Sequence, residues 1–165
     1  MPAIQKIMDE VLAGPGSSET LDGALAAERA LVAGAKKIAL FASGAASQKY
    51  MMALADQQEI MAALADIVTE TYAMDSCVLR ARKLVANQSE AGAALAIQMT
   101  QVYLAGAMER IESAARKVIA AVAEGDMLRT QLAILRRLGK HEPVNVITLR
   151  QQIAKRVLEA GKYVV

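Results

Sequence analysis

The fold of this sequence is constrained above all by a run of evenly spaced apolar residues that contains no proline. Between residues 60 and 85 they alternate at spacings of three and four, and Thr71 is the one polar member. The members are Ile60, Leu64, Ile67, Thr71, Met74, Val78, Ala81 and Val85. Because an α-helix has about 3.6 residues per turn, this spacing places all of them on one face. An isolated helix cannot bury such a face, so the chain must supply partner helices.

Two further segments carry apolar residues seven positions apart. They are formed by Leu31, Ile38, Ala45 and Met52, with Ala35 and Ala42 between them, and by Ile97, Leu104, Ile111 and Val118, backed by Met108, Ala115 and Val122. A first helix ending near Ala13 precedes them. Linkers of a few residues make neighbouring helices antiparallel. The sequence therefore predicts an all-α fold, an up-and-down four-helix bundle with additional short C-terminal helices.

Helix boundaries are predicted from turn and capping residues. The stretch GPGSS at 14–18 ends the first helix, because Gly and Pro interrupt helices. Asp56 followed by Glu59 matches a capping box, in which two side chains satisfy the free amides at a helix start. The stretch ANQS at 86–89 ends the third helix, and Ser89 is predicted to cap the fourth.

Beyond Gly125 the chain changes character. Asp126 and Asn145 are predicted to cap two shorter helices. Acidic residues are few there, and the basic ones are Arg129, Arg136, Arg137, Lys140, Arg150, Lys155, Arg156 and Lys162. The predicted division is an N-terminal linker helix and turn at 1–18, a helical bundle at 19–125, and a basic C-terminal helical pair packed on the bundle at 126–165.

Composition excludes some classes of protein. With a net charge of only +2 and 3% aromatic residues, the chain lacks the basic surface and stacking platforms of nucleic-acid binders. Its one cysteine, Cys77, forms no internal disulfide and fits a reducing compartment, so a cytoplasmic location is expected. The opening MPAIQKIMDEVL lacks the basic start and apolar run of a secretory signal.

Residues 91–108 are the one candidate for a membrane span. The stretch AGAALAIQMTQVYLAGAM is uncharged and just long enough to cross a bilayer. However, Gln98, Thr100 and Gln101 lie near its middle, where polar side chains are costly in lipid. A buried bundle helix, with these groups bonded to neighbours, is the favoured interpretation.

The residues that could carry chemistry are too few for a recognisable catalytic or metal site. His141 is the only histidine, so neither a di-iron nor a zinc site has enough ligands. A nucleophilic triad would need Cys77 or a serine with that histidine, and a cysteine in an apolar helix usually acts as a small hydrophobe. Asp66 and Glu70 lie one turn apart and could do acid–base work, but no substrate-binding motif accompanies them. We therefore assign no catalytic, cofactor-binding or metal residue.

Charged residues on the long helices are predicted instead to form ion pairs or to dock on a partner. Opposite charges on facing helices hold those helices in register. The candidates are Asp66, Glu70, Arg80, Arg110, Arg116, Arg136 and Arg137.

Residues 127–140 predict a basic amphipathic helix. Leu128, Leu132 and Leu135 fall on one side, with arginines spread around them. Such a helix could lie on an anionic membrane surface, dock on a protein partner, or cover the end of the bundle. All three alternatives stay open at the level of the sequence.

One stretch resembles a known family. LADIVTETYAMDSCVLRARKL, at 64–84, is similar to the C-terminal helical region of very-long-chain-type acyl-CoA dehydrogenases. The matching positions are Leu64-Ala65-Asp66, Tyr72-Ala73-Met74 and Leu79-Arg80-Ala81. Residues 108–138 and 142–163 resemble bacterial versions of the same extension, and residues 2–15 resemble the segment after the last core helix of the dehydrogenase. The resemblance covers nearly the whole chain.

The resemblance implies a module without chemistry of its own. In that family FAD and a carboxylate base are held by a separate catalytic body that oxidises fatty acyl-CoA, so no cofactor is expected in this chain. Acyl-CoA dehydrogenase catalytic domains are the expected partner, and a homodimer stays open. In animal members the preceding linker is basic and associated with a membrane, whereas here Lys6 is opposed by Asp9 and Glu10. The function predicted is a non-catalytic interaction module, with a lipid-surface bundle acting through residues 127–140 as the alternative.

Overall fold

The computed structural model describes residues 23–162, and over that range the chain is helical without a strand. Its elements are α1 (Ala26–Tyr50), a 3₁₀ helix (Met51–Asp56), α2 (Gln58–Gly92), α3 (Ala94–Val122), α4 (Gly125–Leu138) and α5 (Val146–Ala160). The predicted all-α fold with short C-terminal helices is confirmed. The first of the four predicted bundle helices, before residue 18, lies outside the described residues.

Helix α3 occupies the centre of the packing. It contacts α1, α2, α4 and α5, whereas α5 packs on α3 and on no other described element. Helices α1, α2 and α3 also contact one another pairwise, and α4 covers part of α1 as well as α3. The short connections make α1, α2 and α3 run alternately up and down.

The core lies where the predicted apolar faces of these three helices meet. The predicted apolar face of α2, from Ile60 to Val85, forms its seam with the other helices. Every predicted member of this seam from Ile60 to Ala81 is buried, and Val85 is half-buried. The largest fully buried side chains are Phe41, Ile38, Ile67, Met74, Leu104, Met108, Ile111, Ile119, Leu135 and Val118. Because they come from α1 to α4, the core is shared and none of these helices has a core of its own.

The row of buried apolar residues predicted for α1 is wrong at its last member, Met52. Met52 is 94% exposed, because α1 stops at Tyr50 and Met51 has a left-handed φ of 48°. The chain then continues as a 3₁₀ helix, which turns Met52 away from the core. A seven-residue repeat extrapolates a helix beyond the point where the backbone leaves it.

Two of the predicted caps make the expected side-chain hydrogen bond. At Ser89 the backbone of α2 is interrupted, with φ 73° and ψ 168°, and the serine Oγ accepts from Gly92 N–H at 3.5 Å. Helix α3 itself begins only at Ala94, after Ala93, which makes no side-chain cap bond. Asn145 caps α5, since its Oδ1 accepts from Thr148 N–H at 3.1 Å. Both side chains satisfy amides that have no carbonyl partner within their own helix.

The other two predicted caps are wrong. Asp56 belongs to the 3₁₀ helix, and Gln57 occupies the cap position of α2 without a side-chain bond. Asp126 lies inside the first turn of α4, after the cap residue Glu124, and its carboxylate accepts from Arg129 at 2.9 Å. In both cases the helix start is displaced by one or two residues, which is enough to take the carboxylate away from the free amides.

Gly34 allows α1 and the end of α4 to approach closely. A β-carbon at this position would lie 2.8 Å from the carbonyl oxygen of Leu138. Any larger residue would push the two elements apart, so the glycine is required by packing.

Most of the uncharged segment at 91–108, from Ala94 onward, forms the first half of α3. Its polar side chains have partners: Gln98 donates to Gln152 at 2.9 Å, Gln101 donates to Glu28 at 2.7 Å, and Thr100 donates to its own helix. Across residues 23–162, none of the helices combines the length and the apolar character that crossing a membrane requires.

Shortening a buried isoleucine of the core should lower the stability of the domain. Ile67 and Ile111 are fully buried, at 0% exposure, so Ile67→Ala or Ile111→Ala should lower the free energy of unfolding by about 2 to 5 kcal/mol. Chemical denaturation followed by circular dichroism measures this loss. Ile147, which is 67% exposed on α5, supplies the matched control, since Ile147→Ala should change stability little. A loss at Ile67 no larger than at Ile147 would show that this helical register is incorrect.

Candidate functional site

The most organised polar cluster joins the middle of α2 to α3. Arg110 donates two hydrogen bonds to the Glu70 carboxylate, from Nε to Oε1 at 2.6 Å and from Nη2 to Oε2 at 3.0 Å. The Tyr103 hydroxyl donates to Oε2 at 2.8 Å. The Arg110 guanidinium also lies over the Tyr103 ring, 5.8 Å from its centroid. Tyr103 and Arg110 are seven residues apart on α3, so both project toward the same place on α2.

These contacts shift the ionisation of all three groups. Bonding to Arg110, helped by Tyr103, holds the pKa of Glu70 below its ordinary value, although partial burial opposes the shift. The pKa of Tyr103 is raised, first by burial and then by the bond to Glu70. The same carboxylate raises the pKa of Arg110. A carboxylate with a lowered pKa, and with its oxygens already bonded, is a poor general base.

The arrangement therefore suits a structural role, and the cluster of Glu70, Arg110 and Tyr103 is called the clamp. A bidentate pair between a carboxylate and a guanidinium fixes distance and angle at once, and here it joins two helices. Asp66, one turn before Glu70, is exposed, and no described residue bonds to it. The oxygens of Glu70 are already hydrogen-bonded, which disfavours an acid–base pair with Asp66.

The other charged candidates are spread over the surface. Arg116 bonds within α3 to Glu112 at 3.3 Å, not to α2. Arg80 is exposed on α2, and Arg136 and Arg137 are exposed in the last turn of α4. The structure therefore brings Glu70 and Arg110 together, and it does not gather the remaining candidates into one site.

Among the interhelical contacts of the described residues, two polar contacts on α2 were not predicted from the sequence. One is the Tyr103 hydroxyl, which the spacing of seven to Arg110 could have indicated. The other is the bridge from Lys36 on α1 to Asp75 on α2, with Nζ to Oδ2 at 2.8 Å. Its two members are 39 residues apart, and only the antiparallel register of α1 and α2 makes them neighbours.

The lone cysteine and histidine have local roles. Cys77 is half-buried against the core, and burial raises the pKa of its thiol, opposed by nearby Arg80. His141 is exposed, and its Nδ1 donates to the carbonyl oxygen of Gly139 at 2.7 Å. In the part of the chain from 23 to 162, no three His, Cys, Asp or Glu residues are placed to hold a metal ion.

The basic amphipathic helix α4 turns its apolar side inward. Leu128, Leu132 and Leu135 pack against the core, and Leu135 is 1% exposed. Its arginines remain outside. A helix lying on a lipid surface needs its apolar side free to enter the bilayer. The packing of α4 removes that side, which favours the interpretation of α4 as a cover for the bundle.

A partly enclosed pocket of about 290 Å³ lies between α1, α3 and the loop after α4. Its walls are mostly apolar, and its polar residues include the carboxylates of Glu28 and Glu142 beside Lys140 and His141. Glu28 is already bonded to Gln101. Two carboxylates would repel a diphosphate, so these residues do not fit FAD.

The sequence profile of a known family covers most of this structure. The family described as "Acyl-CoA dehydrogenase, C-terminal domain" matches residues 34–137, from α1 to the end of α4. The chain belongs to this family. The resemblance seen at 64–84 is thereby confirmed.

Relatives of this acyl-CoA dehydrogenase C-terminal domain are larger proteins. A probable acyl-CoA dehydrogenase from Bacillus subtilis (strain 168) is 43% identical over 151 residues, which is 92% of this chain and 25% of that protein. The crystal structure of an acyl-CoA dehydrogenase complexed with FAD from Bacillus anthracis superimposes with a TM-score of 0.91 at 39% identity. That match covers 100% of this chain and 28% of the crystallised one. The chain spans about a quarter of the length of the relatives it matches.

Breaking the clamp should destabilise the acyl-CoA dehydrogenase C-terminal domain in a pH-dependent way. Glu70→Gln should cost roughly 1 kcal/mol at neutral pH, a modest figure because the Arg110 side chain is 54% exposed. The folded-state pKa of Glu70 lies below its ordinary 4.5, so the wild-type advantage should be complete above that pH and disappear as the pH falls through the folded-state pKa. Urea denaturation of both proteins at several pH values measures it.

The matched control for the clamp is Asp126→Asn. Asp126 pairs with Arg129 at 2.9 Å, but both side chains are almost fully exposed, at 94% and 82%. This variant should lose no measurable stability. Equal losses for Glu70→Gln and Asp126→Asn would mean that the clamp contributes nothing beyond an ordinary surface pair.

Membrane binding through α4 should be absent. With Leu135 buried and Leu128 and Leu132 packed against the core, the chain should not float with anionic vesicles at physiological ionic strength in a density gradient. Binding that fell with added salt and with Arg136→Glu/Arg137→Glu would contradict this expectation and favour the lipid-surface alternative.

Proposed function

We propose that this chain is a non-catalytic interaction module of a flavin-dependent acyl-CoA dehydrogenase of fatty-acid oxidation. It packs on the catalytic body, where FAD and the acyl-CoA substrate are bound, and contributes to domain packing and oligomer architecture. The observation that carries the proposal is the extent of the match: the whole chain superimposes on 28% of an FAD-complexed acyl-CoA dehydrogenase with a TM-score of 0.91.

The chemistry of the described residues supports a structural role. Glu70, the carboxylate with a shifted pKa, has both of its oxygens hydrogen-bonded to Arg110 and one of them also to Tyr103. The two carboxylates of the pocket between α1 and α3, Glu28 and Glu142, would repel the diphosphate of FAD, which supports the proposal that FAD is bound by the body. A flavin would supply the oxidising chemistry from the body, and this module would position and support that body.

The organisation of the chain fits attachment to a larger enzyme. We assign residues 1–18 to a linker helix and turn, 19–125 to the bundle, and 126–165 to a C-terminal helical pair. The packing of α4 and α5 on α3 supports the last assignment. The free thiol of Cys77 supports a reducing compartment such as the cytoplasm.

A pull-down with flavin detection tests the proposal. The tagged 165-residue chain, incubated with lysate of its source, should recover an acyl-CoA dehydrogenase, identified by mass, together with the absorbance of FAD. The purified chain alone should neither bind FAD stoichiometrically nor oxidise acyl-CoA. Turnover by the purified chain, or an eluate without flavin and without a dehydrogenase, would overturn the proposal.

A further inference from the structure

Helix α2 carries a second apolar stripe that the bundle does not cover. Met61, Val68, Tyr72 and Leu79 are 43%, 54%, 75% and 56% exposed. Each directly follows a buried seam residue, so the stripe repeats the spacing of the seam about 100° further round the helix. At about 1.5 Å of rise per residue, the stripe forms a straight line about 27 Å long.

Helix α1 widens this stripe. Leu40, which is 56% exposed, lies one turn after Lys36, and Tyr72 lies about one turn before Asp75. The Lys36–Asp75 bridge places these levels of the two antiparallel helices side by side. The five exposed apolar side chains therefore share one side of the bundle. The α1–α2 surface consists of Leu40, Met61, Val68, Tyr72 and Leu79.

The C-terminal helices cover a different part of the bundle. Helix α4 packs on α1 and α3, and α5 packs on α3; among the described elements, only α1, α3 and the 3₁₀ helix contact α2. A helix with two apolar faces in the same register is suited to two partners, one inside its own bundle and one outside. Aligned, exposed large side chains of this kind mark an interaction surface.

The size of the surface indicates which kind of partner it fits. A strip about 27 Å long and two helices wide, at about 10 Å per helix, offers on the order of 500 Å². Interfaces between domains bury about 600 to 1,500 Å² in total, which two such faces supply. Two identical copies joined through this strip alone would bury about 1,000 Å² in total, below the roughly 1,600 Å² of a typical stable complex of separate chains. A larger body can also contact residues beside the strip, so the strip fits a docking face for such a body better than a pair of identical copies.

We propose that the α1–α2 surface is the face with which this module docks on the flavin-containing body of an acyl-CoA dehydrogenase. The inference rests on the proposed function and adds the docking face to it. In the FAD-complexed relative, 72% of the polypeptide, the remainder after the 28% match, lies outside the matching domain and is the candidate for the second partner of α2. Tyr72 is the central anchor, and Arg80 together with the Lys36–Asp75 bridge forms the polar rim.

Photo-cross-linking in the source organism tests the docking face. Tyr72→p-benzoylphenylalanine in the full 165-residue chain places a reactive ketone in the middle of the surface with little change in shape. Leu158→p-benzoylphenylalanine is the matched control, because Leu158 is 81% exposed on α5. After irradiation, peptides of an acyl-CoA dehydrogenase body should be linked to position 72 at least about tenfold more often than to position 158.

The outcomes separate the docking face from the proposed function. If the unmodified chain recovers no flavin-containing dehydrogenase in the pull-down, the proposed function and this inference both fail. If it recovers the enzyme while position 72 gives no cross-link to it, only the docking face is wrong. Cross-links from position 72 to a second copy of this chain would also overturn the inference, in favour of a homodimer.

A pair of double variants supplies an independent test. Val68→Asp/Leu79→Asp places charges on the surface, and Ile147→Asp/Leu158→Asp places the same charges on exposed apolar residues of α5. All four positions are exposed, and thermal melts by circular dichroism verify that both proteins fold. The first variant should recover at least about tenfold less FAD in the pull-down, and the second should match the wild type. Equal recovery by the two variants would refute the docking face.

Discussion

The seam between α2 and α3 is the contact on which the rest of the domain depends. Ile67, Met74, Leu104 and Ile111 are all inaccessible to solvent there or nearly so. Because α3 also supports α1, α4 and α5, every described helix is positioned relative to this seam. Burial of so much apolar surface is the main force that orders the three long helices, since such helices are marginally stable when isolated.

Polar contacts then refine what apolar burial has arranged. Close-packed helices can slide by a turn with little loss of apolar area, whereas a bidentate pair such as Glu70–Arg110 exists in one register only. The Lys36–Asp75 bridge has the same effect between α1 and α2. Neither contact needs to contribute much free energy to select one arrangement among several, which is consistent with their partly exposed positions.

The proposed interaction module needs a surface for its partner. The shifted pKa of Glu70 has a structural cause, and four of the exposed large apolar residues, Met61, Val68, Tyr72 and Leu79, are aligned on α2. The inner and outer faces of α2 follow the same spacing, one residue apart. This helix can therefore join the core of its own domain to a larger body, which is the property that the proposed function requires.

Much of the fold could be predicted from local pattern. The spacing of three and four along residues 60 to 85 specifies a helix and its buried face, and side chains such as Ser89 and Asn145 mark helix starts because their oxygens accept from nearby amides. The 64–84 motif was likewise sufficient to identify the family. These features depend on neighbours within one or two turns, which the order of residues specifies directly.

Other features were decided only by the tertiary structure. The turn at Met51 exposes Met52, which the repeat alone placed in the core. The sequence left several arginines as candidate partners of Glu70. The antiparallel register of α2 and α3 decided that the partner is Arg110. The exposure of Val68, Tyr72 and Leu79 likewise depends on which sides of α2 are covered by α1 and α3. A periodic pattern determines which residues share a face, but only the packing of whole helices determines which face meets a neighbour and which meets solvent.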